Sequence, residues 1–122
     1  MIGTGSGDNL VKIWDLQLES EKEEPVVLHT LTHHKDCVNS VIIFDNDHQI
    51  VSGSIDKYVC ISNIDGSELH KIKTGRVSDL KLSQQTNFLI VVTASSANSI
   101  LVYNLTTKES LFKSLFSLLY HL

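Results

Sequence analysis

Three residues of the chain, His34, Ser52 and Asp56, have the side-chain types of a nucleophilic triad. In such a triad a histidine base accepts the serine proton, and a carboxylate orients the histidine. Hydrolysis also requires a pocket that stabilises an oxyanion beside the serine. The same three side chains can instead form a hydrogen-bonded set with a structural role. The elements that position them decide between the two interpretations.

The stretch HHKDC, at residues 33–37, offers imidazole and thiolate groups, which are common zinc ligands. A zinc site needs four converging ligands, and no second Cys/His pair follows at the spacing of a zinc finger. The GSGD stretch at residues 5–8 precedes neither a Lys-Ser/Thr pair nor a helix pattern, so it indicates the approach to a turn and not a phosphate loop. We therefore predict no metal site, no cofactor and no catalytic residue, and we do not expect an enzyme.

Composition narrows the choice of partners and compartment. The chain has 122 residues and a net charge of −4, with one arginine and no basic stripe, so nucleic-acid binding is not expected. Cys37 and Cys60 lack the spacing of a disulfide framework, and no secretory signal opens the chain. These features predict an intracellular protein, cytoplasmic or nuclear. The apolar segment at 111–122 is too short to span a bilayer, so no membrane partner is expected.

A sequence pattern repeats along the chain. The segment IGTGSGDNLVKIWDL (Ile2–Leu16) aligns without a gap on IVSGSIDKYVCISNI (Ile50–Ile64), 48 residues later, and six of the fifteen positions are identical. A weaker third copy, VTASSANSILVYNL (Val92–Leu105), is offset by 41 residues from the second. Periods of this length are typical of repeat architectures and not of a self-contained globule.

Each copy has the local pattern of β-structure. Short β-branched or aromatic runs such as LVKI, YVCI and SILVY follow tight breaks that contain Asp, Asn or Ser. Further extended runs lie upstream, including VNSVIIF (Val38–Phe44) and VSDLKL (Val77–Leu82). The spacing predicts about four antiparallel strands per unit, in sheets built from hairpins. His29, His48, His70 and His121 are scattered among these runs and are interpreted as surface residues.

At these residues the chain resembles the WD-repeat β-propeller family. The clearest copy runs from Leu31 to Ile64, with His34, Ser52 and Asp56 on the histidine, serine and aspartate of the family pattern. Ser62-Asn63 stands in its Trp-Asp position. The first copy supplies Thr4, Asp8 and Trp14 at the serine, aspartate and tryptophan positions, and the third has Ala97 at the aspartate and Tyr103-Asn104 at Trp-Asp.

The resemblance implies an all-β fold, an incomplete propeller of about three four-stranded antiparallel blades, the first lacking its inner strand. The expected units are a partial blade at 1–31 with an acidic loop at 17–25, a complete blade at 32–73, a degenerate blade at 74–116 and a frayed apolar tail at 117–122. Leucines at helical spacing keep an amphipathic helix open as an alternative for the tail.

In the family the histidine, serine, aspartate and tryptophan side chains of the pattern form a hydrogen-bonded set that joins the turn to the neighbouring strands. The resemblance implies that structural role here rather than catalysis. Ser62 is too short to donate an indole N–H, so the set is expected to be weaker in the second copy. The residues assigned to the set are His34, Ser52, Asp56, Thr4, Asp8 and Trp14.

The resemblance also implies a non-catalytic protein-interaction scaffold that assembles multiprotein complexes. Lys35, Asp36, Cys37 and Ile55 are the candidate partner-binding residues. The alternative is the regulatory or substrate-docking part of a longer enzyme, such as a kinase or ubiquitin-ligase subunit. Three blades do not close a ring, so the expected chain is a fragment of a larger propeller, a ring-completing subunit or a truncated product, with self-association through exposed blade edges.

Overall fold

The computed structural model describes residues 1–15, 24–83, 85–93 and 100–112. Most of the acidic loop at 17–25, Ala97 and the tail at 117–122 lie outside these residues. Within the described ranges there are only strands and turns, and no helix that could cross a membrane. The strands are β1 (Ile2–Gly5), β2 (Val11–Asp15), β3 (Val26–Leu31), β4 (Val38–Phe44), β5 (Gln49–Ser54), β6 (Tyr58–Asn63), β7 (His70–Lys73), β8 (Val77–Ser83), β9 (Phe88–Thr93), β10 (Ile100–Asn104) and β11 (Glu109–Phe112).

The strands form three antiparallel sheets in chain order. The first sheet contains β1 to β3, the second β4 to β7 and the third β8 to β11, and within each sheet neighbours in sequence are neighbours in space. By the repeat register, β1 corresponds to β5, so the first sheet lacks the counterpart of β4. The predicted all-β, incomplete propeller with a first blade one strand short is confirmed.

Alternating side chains build a core on each side of the second sheet. On β2, Val11 and Ile13 are buried against Val38 and Ile50 of the second sheet. On the other side, Val51 and Val59 belong to a cluster with residues of the third sheet, including Val77, Leu80, Leu89, Val91, Leu101 and Tyr103. Each fully buried valine or leucine contributes about 1.5–3 kcal/mol relative to an exposed one, so contacts between sheets hold the fold together.

Glycines allow the sheets to approach closely. A Cβ atom on Gly5 would lie 2.5 Å from Cγ1 of Val38, and one on Gly53 would lie 2.5 Å from Cγ1 of Val77. Each valine begins the inner strand of the next sheet. The GSGD stretch does lead into a turn after β1, and the absence of a side chain at Gly5 and Gly53 is explained by the contact between sheets.

The third sheet departs from the ungapped repeat. In the second sheet Gly53 pairs with Val59, whereas in the third Val92 pairs with Ile100, so the connection between these partners is two residues longer. The 41-residue offset holds on β10, where Tyr103 occupies the register position of Ser62. The same 41-residue offset is wrong on β9, because Val92 occupies the register position of Gly53, 39 residues earlier.

Candidate functional site

His34 is the centre of the polar set in the second sheet. It lies between β3 and β4 and is only 5% exposed. Its Nε2 is 2.7 Å from the Ser52 hydroxyl on β5, and its Nδ1 is 3.0 Å from Oδ2 of Asp56 in the β5–β6 turn. The structure thus brings His34 to Ser52 and Asp56, which lie 18 and 22 residues further along the chain, and joins a strand, a turn and a connecting loop.

The Asp56 carboxylate holds several other groups. Its Oδ2 also accepts the Lys35 N–H at 3.0 Å, and its Oδ1 accepts the Tyr58 N–H at 2.9 Å. Burial opposes ionisation, but the hydrogen bonds from Lys35, His34 and Tyr58 outweigh it and hold the pKa of Asp56 below its ordinary value. The ionised carboxylate therefore fixes the loop before β4 to the turn after β5.

The order Ser52–His34–Asp56 is that of a nucleophilic triad, but its surroundings do not fit one. In the tautomer in which Nδ1 donates to Asp56, Nε2 of His34 accepts a hydrogen bond from the Ser52 hydroxyl. Ser52 is only 3% exposed, and it lines neither of two cavities, of about 620 and about 100 Å³, in the described part of the chain. A substrate has no access to the serine oxygen in this arrangement, which acts as a link between backbone segments.

The lowered pKa of Asp56 predicts an acid dependence of stability. Because the folded-state pKa lies below the ordinary 3.8, the carboxylate stabilises the fold above that value, and this contribution is lost as the pH falls through the folded pKa. The free energy of unfolding of Asp56→Asn should be well below that of the wild type at pH 7, and the gap should narrow below about pH 4. Urea unfolding across this range measures it; a gap that does not change with pH contradicts the prediction.

The corresponding residues of the first sheet form two separate contacts. The Trp14 indole donates from Nε1 to Oγ1 of Thr4 at 2.9 Å. Asp8 accepts hydrogen bonds from the Ser6 hydroxyl and the Leu10 N–H, which lower its pKa. Thr4 and Trp14 therefore lie together across two strands, whereas the hydrogen bonds of Asp8 remain within its own turn.

The tryptophan position differs from sheet to sheet. In the second sheet Ser62 donates to the backbone oxygen of Asn63 at 2.9 Å and does not reach Ser52. In the third sheet the hydroxyl of Tyr103 lies 2.8 Å from Nε2 of His70, on β7 of the second sheet. The interpretation of His70 as a surface residue is wrong, because the ring is half-buried in this contact between sheets.

Replacing Tyr103 with phenylalanine should lower the free energy of unfolding by about 1 kcal/mol, since it removes one partly buried hydrogen bond and keeps the ring. Urea unfolding measures the change. Tyr58→Phe is the matched control, because the Tyr58 ring contacts the Lys71 ammonium and its hydroxyl makes no hydrogen bond among the described residues. Equal effects of the two variants would contradict a role for the contact with His70.

The four candidate partner-binding residues lie in two adjoining loops. Lys35 and Asp36 are exposed, whereas Cys37 and Ile55 are half-buried. The Ile55 N–H donates to the backbone oxygen of Cys37 at 3.1 Å. Together they form a small surface beside His34, which we call the loop surface.

Ser54 holds the loop surface in place, a role that its sequence position alone does not indicate. It is fully buried, and its hydroxyl lies 2.7 Å from the backbone oxygen of Cys37 and 3.1 Å from that of Asp36. The sequence marks this position only in that the aligned copies of the repeat both have serine there, at Ser6 and Ser54. The backbone of the loop is therefore held by a buried hydroxyl, while the side chains of Lys35 and Asp36 are exposed.

Neither cysteine belongs to a metal site in the described residues. No group of three or more His, Cys, Asp or Glu side chains there is arranged to hold a metal ion. Both thiols are free, and burial raises the pKa of Cys60 to about 11. Cys60 is thus a small core residue, and Cys37 is part of the loop surface.

Comparison with known families agrees with this geometry. Residues 25–63 match the family model described as WD domain, G-beta repeat. The matched segment runs through β3, β4, β5 and β6. It contains the whole hydrogen-bonded set of His34, Ser52 and Asp56, and domains of this type are in general protein-interaction scaffolds without catalytic activity.

Proposed function

Because the segment from residue 25 to residue 63 is a WD repeat, we propose that this chain is a non-catalytic scaffold that binds other proteins through the loop surface. The observation that carries the proposal is the difference in exposure between the side chains around His34. Ser52 and Asp56, which have reactive side chains, are enclosed and hydrogen-bonded to His34. Lys35 and Asp36 have exposed side chains, and the loop that bears them is fixed by Asp56.

A loop held in this way suits protein recognition. The backbone of residues 35–37 is fixed by Asp56 and Ser54, so little conformational entropy is lost when a partner binds. The exposed charges of opposite sign can select a complementary partner, and the half-buried Ile55 adds apolar contact. The free thiols further support an intracellular location, which we propose on that basis.

The double variant Lys35→Ala/Asp36→Asn tests the proposal. The asparagine retains the oxygen that accepts the Cys37 N–H, so the fold should be unchanged. Affinity capture of partner proteins from a cell extract, quantified by mass spectrometry, should lose a defined set of proteins that the wild type retains.

The matched control is Lys81→Ala/Asp79→Asn, which removes an exposed ion pair of the third sheet with the same net change in charge. This control should capture the same proteins as the wild type. An identical set of captured proteins for all three chains would refute binding through the loop surface.

A further inference from the structure

A second concave surface lies at the other end of the strands. The β5–β6 turn and the loop surface are at one end of the second sheet, and the β4–β5 turn is at the opposite end. There, a cavity of about 620 Å³ opens between the turns of the second and third sheets. We call it the acidic groove; its lining residues are Ile43, Phe44, Asp45, Asn46, Asp47, Gln49, Leu82, Asn87, Leu105 and Thr106.

The floor of the acidic groove is apolar and firmly packed. Phe44, Leu82 and Leu105 are partly buried against the core between the second and third sheets. The side-chain amide of Asn87 is 3.3 Å from the Thr106 hydroxyl, and its backbone oxygen accepts the Leu105 N–H at 2.9 Å. The two turns of the third sheet are therefore linked to each other on one side of the groove.

The rim of the groove carries two exposed carboxylates. Asp45 and Asp47 are exposed, and in the described part of the chain their carboxylates form no ion pair and no hydrogen bond. The lining contains no lysine, arginine or histidine. Amide groups of Asn46, Gln49 and Asn87 stand beside the carboxylates and can bond to a peptide backbone.

The turn that bears the two carboxylates has a restricted conformation. Asp45, Asn46 and Asp47 all have left-handed backbone angles, with φ of 55°, 51° and 65°. Both the N–H and the Nδ1 of His48 contact the backbone oxygen of Asp45, at 3.0 and 3.1 Å. Aspartate and asparagine tolerate this region better than most residues, so the carboxylates are held at the rim.

We propose that the acidic groove binds a basic peptide segment of a partner protein. An apolar side chain of the peptide lies on Phe44, Leu82 and Leu105, while flanking lysine or arginine side chains face Asp45 and Asp47. Complementary charge at the rim and the apolar side chains at the floor are the features that favour such a ligand. This surface is separate from the loop surface, so it can bind whether or not Lys35 and Asp36 do.

Fluorescence anisotropy with the full 122-residue chain tests the proposal. The probe is a fluorescein-labelled heptapeptide of alternating lysine and leucine; the comparison peptides replace lysine with glutamate or leucine with serine. The wild type should bind the lysine–leucine peptide, and Asp45→Asn/Asp47→Asn should weaken that binding about tenfold, because two rim ion pairs are lost. Asparagine suits the left-handed turn, so the variant should keep its circular dichroism spectrum.

Two control variants locate the binding site. Glu24→Gln/Asp79→Asn removes the same charge from positions outside the groove, and Lys35→Ala/Asp36→Asn alters the loop surface. Both should bind the lysine–leucine peptide within about twofold of the wild type, since screening confines the effect of a surface charge to about 10 Å. The second control also separates this proposal from the first, because it should lose partner capture and retain the peptide.

Several results would overturn the proposal. They are the absence of binding to the wild type, an equal loss in Glu24→Gln/Asp79→Asn, or equal affinity for the peptide in which serine replaces leucine. In nuclear magnetic resonance spectra, shifts at Asp45 and Asp47 with Ca²⁺ but not with the lysine–leucine peptide would assign the groove to a cation and also refute it.

Discussion

Replacing His34 with alanine is expected to lower the free energy of unfolding by about 3 kcal/mol, because two buried groups lose their partner at once. The Ser52 hydroxyl is left in a site that is 3% exposed. Asp56 retains the Lys35 and Tyr58 N–H groups but loses the imidazole donor. The loop before β4 then keeps the bond from the Lys35 N–H to Asp56 but loses the links from His34 to Ser52 and Asp56.

A double-mutant cycle separates this effect from the loss of side-chain volume. Ser52→Ala alone should cost about 1–2 kcal/mol, and the double variant should cost less than the sum of the two single variants, because they share one hydrogen bond. His48→Ala is the control for removing an exposed imidazole and should change stability by less than about 0.5 kcal/mol. Urea unfolding followed by circular dichroism measures all four variants; a cost for His34→Ala no larger than that for His48→Ala would contradict the network.

The contrast between the sheets shows what sequence could predict. The hydrogen-bonded trio could be inferred because residue type, spacing and a gap-free repeat all point to the same positions. The tie between Tyr103 and His70 could not, since it depends on the distance between two sheets and on a tyrosine that reaches across it. Local patterns define strands and turns, but they carry no information on which side chains of separate sheets meet.

The same reasoning explains the other differences. The longer connection between β9 and β10 was missed because the third copy keeps few identities, and an ungapped offset fits β10 alone. The acidic groove combines three turns from two sheets, so no single segment carries its signature. Gly53 was visible as a repeated residue, but its reason, contact with Val77, becomes evident only when the sheets are stacked.

Introducing alanine at Gly53 should lower the free energy of unfolding by about 2 kcal/mol, since an overpacked contact forces the second and third sheets apart. The new Cβ would lie 2.5 Å from Cγ1 of Val77 and 3.3 Å from Cδ1 of Leu80. Both neighbours are almost completely buried, at 0% and 2% exposure, so neither can move into solvent. Thermal and urea unfolding measure the loss.

Two further variants identify the cause of this loss. Gly7→Ala is the control, because a Cβ atom at that position meets nothing within 4 Å, and the substitution should be neutral or slightly stabilising through the unfolded chain. Val77→Ala alone leaves a cavity, but in combination with Gly53→Ala the added methyl group occupies part of the vacated space. The double variant should therefore be more stable than additivity predicts, by about 1 kcal/mol. Strictly additive costs would mean that Gly53 is required for backbone freedom rather than for the approach of the next sheet.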